Sequence, residues 1–237
     1  DIMDPTYENT GISAIKLGVP LAERITLTGI LQPKQSWDET VQYYQLKTGF
    51  GLYDVSLLYS RSQYRQSGLF GTTIQSHDLY GFNLEGELFG LGIRSEVAIH
   101  RLDYDSDNLQ YEYIIGADYT FRNSLYFLTE FYHSDLGAKT DQTTFDDYLV
   151  YFAGERKSLN QNYLFTLAMY PLGDLLDISA FGIINLDDKS AVIAPQLMYR
   201  IFQDVEITCM GSIFIGEETD EFGYQEYGAR IRLRAYF

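Results

Sequence analysis

Apolar and polar residues alternate along nearly the whole of the 237-residue chain, most clearly at its end. From Tyr224 to Phe237 the sequence reads Y-Q-E-Y-G-A-R-I-R-L-R-A-Y-F. Tyr227, Ala229, Ile231, Leu233, Ala235 and Phe237 share one parity, and Arg230, Arg232 and Arg234 the other. A period of two fits a strand and no helix. Read in the same way, the chain predicts thirteen strands, starting near Ile12, Ile25, Tyr43, Val55, Leu79, Ile93, Tyr111, Leu125, Tyr163, Leu175, Val192, Val205 and Tyr224. Short connections at Pro20 to Glu23, Gly51 to Asp54, Phe89 to Gly92, Phe121 to Ser124, Pro171 to Asp174 and Phe202 to Asp204 carry the Gly, Pro, Asn or Asp of tight turns. Longer ones alternate with them: Leu31 to Thr40, Arg61 to Ser76, Asp103 to Leu109, Ser134 to Asn162 and Glu217 to Gly223, with a shorter member at Asp187 to Lys189.

The two parities differ in kind. One holds Phe82, Leu84 and Leu88, then Ile93, Val97 and Ile99, then Ile115, Ala117, Tyr119 and Phe121, and later Phe165, Leu167 and Met169. The other holds Glu85, Glu87, Arg94, Glu96, Glu112, Asp118, Glu130, Asp177, Arg200, Glu206 and the row Arg230, Arg232, Arg234, with Lys16, Arg24 and Lys47 in the early strands. Charge at this density cannot line a dry core, because each ion taken from water without a partner costs several kcal/mol. The pattern therefore predicts an all-β, antiparallel transmembrane β-barrel with lipid on one face and water or ion-paired side chains on the other. It is read as a single domain over 1-237, in which 134-162 forms a long loop, extracellular or folded inward. There Phe145, Tyr148, Leu149 and Phe152 recur at helical spacing, while a strand extended through Tyr148 to Phe152 fits equally.

A last strand that ends on an aromatic residue resembles the final strand of Gram-negative outer-membrane β-barrels. The opening D-I-M-D-P-T-Y-E, followed by G-I-S-A-I-K-L and R-I-T-L-T-G-I-L-Q-P, is similar to a mid-barrel segment of long porin-like outer-membrane proteins. The resemblance implies a bacterial outer membrane, contact with its lipid and lipopolysaccharide, and a barrel-assembly machinery that reads Phe237. Short turns then face the periplasm and long loops the outside. Thirteen strands have the wrong parity for a bacterial single-chain barrel. Either the count is off by one, or the chain is the C-terminal part of a longer barrel, which is the reading preferred here.

Composition fits this picture. Twenty-one Tyr and fifteen Phe are a heavy aromatic load, yet the mean hydropathy is slightly polar and no stretch approaches the roughly 18 to 20 apolar residues of a membrane helix. Barrel strands give such an average because only alternate residues meet lipid. A net charge of -16 argues against a nucleic-acid partner, and most of the excess acid falls in predicted loops, where solvation accounts for it. The single cysteine, Cys209, excludes an intrachain disulfide and falls on the apolar parity.

Candidate chemistry is sparse. Asp103, Asp105 and Asp107 have the alternate carboxylates that open a calcium loop, but the central Gly is missing and Ile114 stands where a bidentate Glu is required. They form a weak metal candidate. His133 and Ser134 bring to mind the outer-membrane phospholipase and lipid A deacylase, but adjacent residues on a strand point to opposite faces and cannot share a proton. No catalytic residue and no cofactor is expected. The expected function is a porin-like channel for passive diffusion of small polar or charged solutes. Basic Arg230, Arg232, Arg234, Arg200, Arg94 and Lys47 and acidic Glu85, Glu87, Glu96, Glu112, Asp118, Glu130 and Glu206 would line its lumen. A second reading has the arginine row paired with carboxylates such as Glu206 across a closed lumen. Such a barrel would scaffold a lipoprotein or periplasmic partner, and bulky Tyr126, Leu128, Tyr132, Phe181 and Ile183 on the same face suit a plug or partner. A homo-oligomer fits either reading.

Overall fold

The computed structural model describes residues 13–37, 39–68, 71–102, 109–139, 143–154, 156–224 and 226–236. Thirteen strands form one sheet in chain order, every neighbouring pair antiparallel. They are β1 (Ile15–Ala22), β2 (Ile25–Gln32), β3 (Val41–Phe50), β4 (Tyr53–Gly68), β5 (Gly71–Leu88), β6 (Leu91–Leu102), β7 (Gln110–Thr120), β8 (Tyr126–Ser134), β9 (Asn162–Leu172), β10 (Leu176–Asn185), β11 (Ala191–Phe202), β12 (Val205–Ile215) and β13 (Tyr227–Ala235). One helix, α1 (Phe145–Phe152), stands between β8 and β9. No described helix is long and apolar enough to cross a membrane.

Most strand limits follow from the alternation and the turn residues. At the β5–β6 hairpin Phe89 and Gly90 both hold positive φ, 53° and 81°. That is the handedness of a two-residue hairpin turn whose twist matches its strands. One expectation fails. Arg61 to Ser76 reads as a loop because polar residues and Gly fall on both parities, but β4 and β5 pair without interruption from Tyr53↔Gly86 to Gly68↔Gly71. A ladder satisfies the backbone whatever the side chains are, so a strand running beyond the apolar band loses its alternation without losing its pairing.

The register separates two faces. On one, Val19, Leu27, Leu46, Leu57, Phe82 and Val97 are successive cross-strand neighbours from β1 to β6. Tyr170, Ile178, Leu197, Cys209 and Ile231 continue the pattern from β9 to β13. The other face carries the charged residues and is the one over which α1 lies. The helix touches β4, and its Tyr148 hydroxyl donates to the carbonyl of Thr219, beyond β12, at 3.2 Å. In the sheet order β4 and β12 are eight places apart, about 38 Å if the sheet were flat. A helix of eight residues is only about 12 Å long. The sheet therefore curls around its charged face. Among the described residues no ladder joins β1 to β13.

Burial follows the curl. The apolar cluster of Tyr163, Val192 and Phe222, flanked by Tyr132, Ile183 and Phe214, sits on the concave face at the long-loop end. On the convex face large apolar residues stay open, with Leu57 54%, Leu197 46% and Ile231 73% exposed. A second expectation is corrected here. Phe165, Leu167 and Met169 pair with Glu130, Leu128 and Tyr126 of β8 and with Ile183, Phe181 and Ser179 of β10, which places them on the concave face. In β9 both parities are apolar, so alternation cannot assign a side. On the concave side Phe165 lines the cavity beneath the loops, while Met169 nearer the short turns stays exposed.

Candidate functional site

The concave face collects the charged residues that the alternation assigned to it. Arg94 of β6 reaches two carboxylates, hydrogen-bonding Asp118 of β7 and lying 3.3 Å from Glu130 of β8. The second contact passes over Gly116, where a Cβ would sit 2.7 Å from the Glu130 Cγ and 3.1 Å from the Arg94 Cγ. Glycine thus leaves room for Arg94 to bridge three strands. Arg200 pairs with Asp177 at 2.7 Å, Lys47 with Asp54 at 2.9 Å and Arg234 with Glu206 at 3.4 Å. Arg232 and Arg230 stand opposite Thr208 and Met210 in the same row, and both make contacts of their own. Glu96 accepts from the Asn83 amide at 3.1 Å. Glu85 and Glu87 border a hollow with Arg94 and Asp118 near the short turns. Asp103, Asp105, Asp107 and Phe237 lie outside the described residues. Among the described residues no cluster of His, Cys, Asp or Glu is arranged to hold a metal.

A clamp that sequence reasoning missed fastens the long loop across this face. Lys157, from the loop after α1, donates to Glu112 of β7 at 2.8 Å. The other Glu112 oxygen lies 3.4 Å from His100 Nε2, within ion-pair reach but off the hydrogen-bond direction, so that nitrogen has no hydrogen-bond partner. The other ring nitrogen of His100 meets His77 Nε2 at 2.9 Å. Glu112, His100 and Lys157 come from three separate segments, and nothing in their spacing announces the contact. His133 and Ser134 take different partners. His133 meets Asn162 at 2.8 Å and Asp135 at 3.3 Å, while the Ser134 hydroxyl accepts from the Leu136 amide at 3.2 Å.

A second missed constellation ties the long loops to one another. Asn185, fully buried, donates to the Asn160 side chain and to Glu221 Oε2, each at 2.8 Å. The Tyr163 hydroxyl donates to the same Glu221 oxygen at 2.6 Å. Asp187 accepts from the Gln161 and Asn162 amides at 2.8 Å, and Asp188 accepts from the Glu221 amide at 2.9 Å. Burial pushes the Glu221 carboxyl above its ordinary value. Donors on Tyr163, Tyr151 and Asn185 oppose this, and the nearby Asp188 charge reinforces it. The acidic residues of the predicted loops, Asp187, Asp188 and Glu221 among them, read simply as loop solvation in the sequence. In the structure Asn185 is buried and Asp187 and Asp188, part-buried, fasten neighbouring loops.

Between α1, the β12–β13 loop and the sheet lies a cavity of about 930 Å³. Its wall is rich in aromatic residues and includes the carboxylates of Glu130, Glu218, Asp220 and Glu221. No family model, curated protein or solved structure matches the chain. The likeness to outer-membrane barrels therefore rests on its own residues and on the sheet they form.

Proposed function

We propose that the chain forms the wall of a porin-like β-barrel in a bacterial outer membrane, with its concave face lining a diffusion path for small polar or charged solutes. The observation that carries this reading is the inversion of the faces. The convex side exposes an apolar band across successive strands, while the concave side holds the ions. Such a band in water is an aggregation surface, and in a bilayer it is the lipid contact. Exposed Phe50, Phe89, Phe121, Phe202 and Tyr236 gather at the short-turn ends, the place of an aromatic girdle at the periplasmic interface. In a bilayer the outer edges of β1 and β13 must be paired, because each unsatisfied backbone group in hydrocarbon costs several kcal/mol. Closure through further strands of a larger barrel meets that need.

On this reading α1 and residues 156–161 narrow the path, held across the face by Lys157 and Glu112. Lipid and lipopolysaccharide surround the wall, and Phe237 serves its recognition by the assembly machinery. Conductance of the purified protein in a planar bilayer, with salt gradients for selectivity, tests the reading: stable ohmic steps support it, and silence from a correctly folded, heat-modifiable barrel removes it. One observation favours a second reading, a plugged barrel that holds a partner protein. The cluster of Tyr163, Val192 and Phe222 fills part of the concave side, which suits a scaffold. A partner that co-purifies with a silent barrel would select it.

A further inference from the structure

The cavity beneath α1 has a composition that a diffusion path does not require. Aromatic rings of Tyr148, Tyr151, Phe152 and Tyr224 line it, together with Glu218 and Glu221. Among the described residues its one basic lining residue, Lys157, is already engaged by Glu112. Glu221 is 6% exposed, and among the described residues no Lys, Arg or His pairs with it. Its oxygen is instead fixed by neutral donors, Tyr163 and Asn185. Among the described residues this buried carboxyl group, oriented by neutral donors and set in an aromatic wall, has no cation beside it.

We propose that this cavity binds an organic cation, an amine or quaternary ammonium bearing an apolar body, with Glu221 as its counter-charge and the rings of α1 and Tyr224 around it. A volume of about 930 Å³ accommodates a small organic molecule. A neutral apolar ligand would bury Glu221 further with no compensation, and an anion would be repelled by it and by Glu218. A cation gains both the carboxylate and the faces of the rings, whose quadrupoles attract positive charge. The net charge of -16 raises the local concentration of cations at the same mouth. The inference rests on the cavity and holds whether or not the concave face conducts.

The test is calorimetric titration of the folded chain in nonionic micelles with three probes of one shape class. These are benzyltrimethylammonium, the neutral benzyldimethylamine N-oxide and the anionic benzenesulfonate. The cation is expected to bind about tenfold more tightly than the N-oxide, with no heat from the sulfonate. Glu221→Gln should erase that preference. Phe152 is 70% exposed and its ring meets Tyr148 and Tyr151 of the same helix, so Phe152→Ala is expected to keep the sheet intact and to weaken the cation severalfold. It supplies the reading if Glu221→Gln does not refold. No binding of the cation, equal binding of all three probes, or an affinity unchanged in both variants would overturn the proposal. Conductance is not the readout, so a silent bilayer leaves the binding result standing.

Discussion

At the residue scale, two positions carry consequences beyond their own contacts. Asn185 makes its bonds with no exposed surface, and Asn185→Leu would strip Glu221 and Asn160 of a donor and the Asp187 amide of the acceptor it meets at 3.0 Å. The expected loss is on the order of 3 kcal/mol of local stability, since each orphaned buried group costs about 1 to 3. Faster hydrogen exchange confined to 186–190 and 217–223 would show it. Glu221 adds a pH dependence. Because burial, reinforced by Asp188, raises its carboxyl in the folded state against the opposing donors Tyr163, Tyr151 and Asn185, the folded loop binds that proton more tightly than the unfolded chain. Its contribution is full below the unfolded carboxyl value of about 4.3 and is lost as pH rises through the raised folded value. Protection of the 217–223 amides, corrected for intrinsic rates, should therefore fall with rising pH, and Glu221→Gln should flatten that slope. A slope retained in the variant assigns the effect to another group. Neither residue announces itself in the sequence: Asn185 closes one strand, Glu221 sits in an acidic loop, and only the fold brings them together. Arg94, Asp118 and Glu130 were readable as neighbours on one face, because parity alone puts them there. That Gly116 is the gap between them was not.

At the scale of elements, α1 shows how far a local pattern reaches. Thr144 and Asp147 form a reciprocal cap: the Thr144 amide donates to the Asp147 carboxylate at 2.8 Å, and the Asp147 amide donates back to the Thr144 hydroxyl at 3.4 Å. Burial of Asp147 opposes its charge, but hydrogen bonds from Thr144 and the Arg156 guanidinium outweigh it and hold the carboxyl below its usual range. Arg156 donates to that carboxylate at 2.9 Å, so one residue both starts the helix and ties its exit. Thr144→Ala is expected to cost about 1 kcal/mol of helix stability, read as faster exchange of the α1 amides with the strand amides unchanged. Uniform loosening of β8 and β9 would mean that the helix is part of the sheet's own stability. The spacing of Phe145, Tyr148, Leu149 and Phe152 indicates a helix as well as an extended strand, and the cap decides for the helix. What spacing could not show is which side is buried. Val150 is covered, while Phe145 and Phe152 remain open, and Phe152 borders a cavity rather than a packed layer. The β4–β5 hairpin fails as a sequence reading for the opposite reason: its pairing is settled by the backbone, where side-chain period carries no information.

At the scale of the whole molecule, the curl of the sheet makes the loop and the arginine row testable together. If the concave face conducts, Arg232→Glu reverses one charge on the wall opposite Thr208 and is expected to shift selectivity toward cations without changing the fold. Identical selectivity would remove that row from the path. The loop has a separate signature. It crosses from β8 toward β4 and meets the β12–β13 connection through Tyr148, so it spans the concavity instead of lying along its rim. A constriction in series with a wide pore sets the resistance of the whole. Replacing 143–157 with a short Gly-Ser linker should therefore raise single-channel conductance severalfold, and Lys157→Ala, which releases only the hold on Glu112, should leave the open level similar while adding closures and reopenings. If the linker variant conducts no better than the parent, the narrowest point lies elsewhere and the loop is a cover for the cavity beneath it. Those two outcomes separate a gate from a lid, because each predicts a different partner for the same helix: the solute stream, or the molecule held underneath.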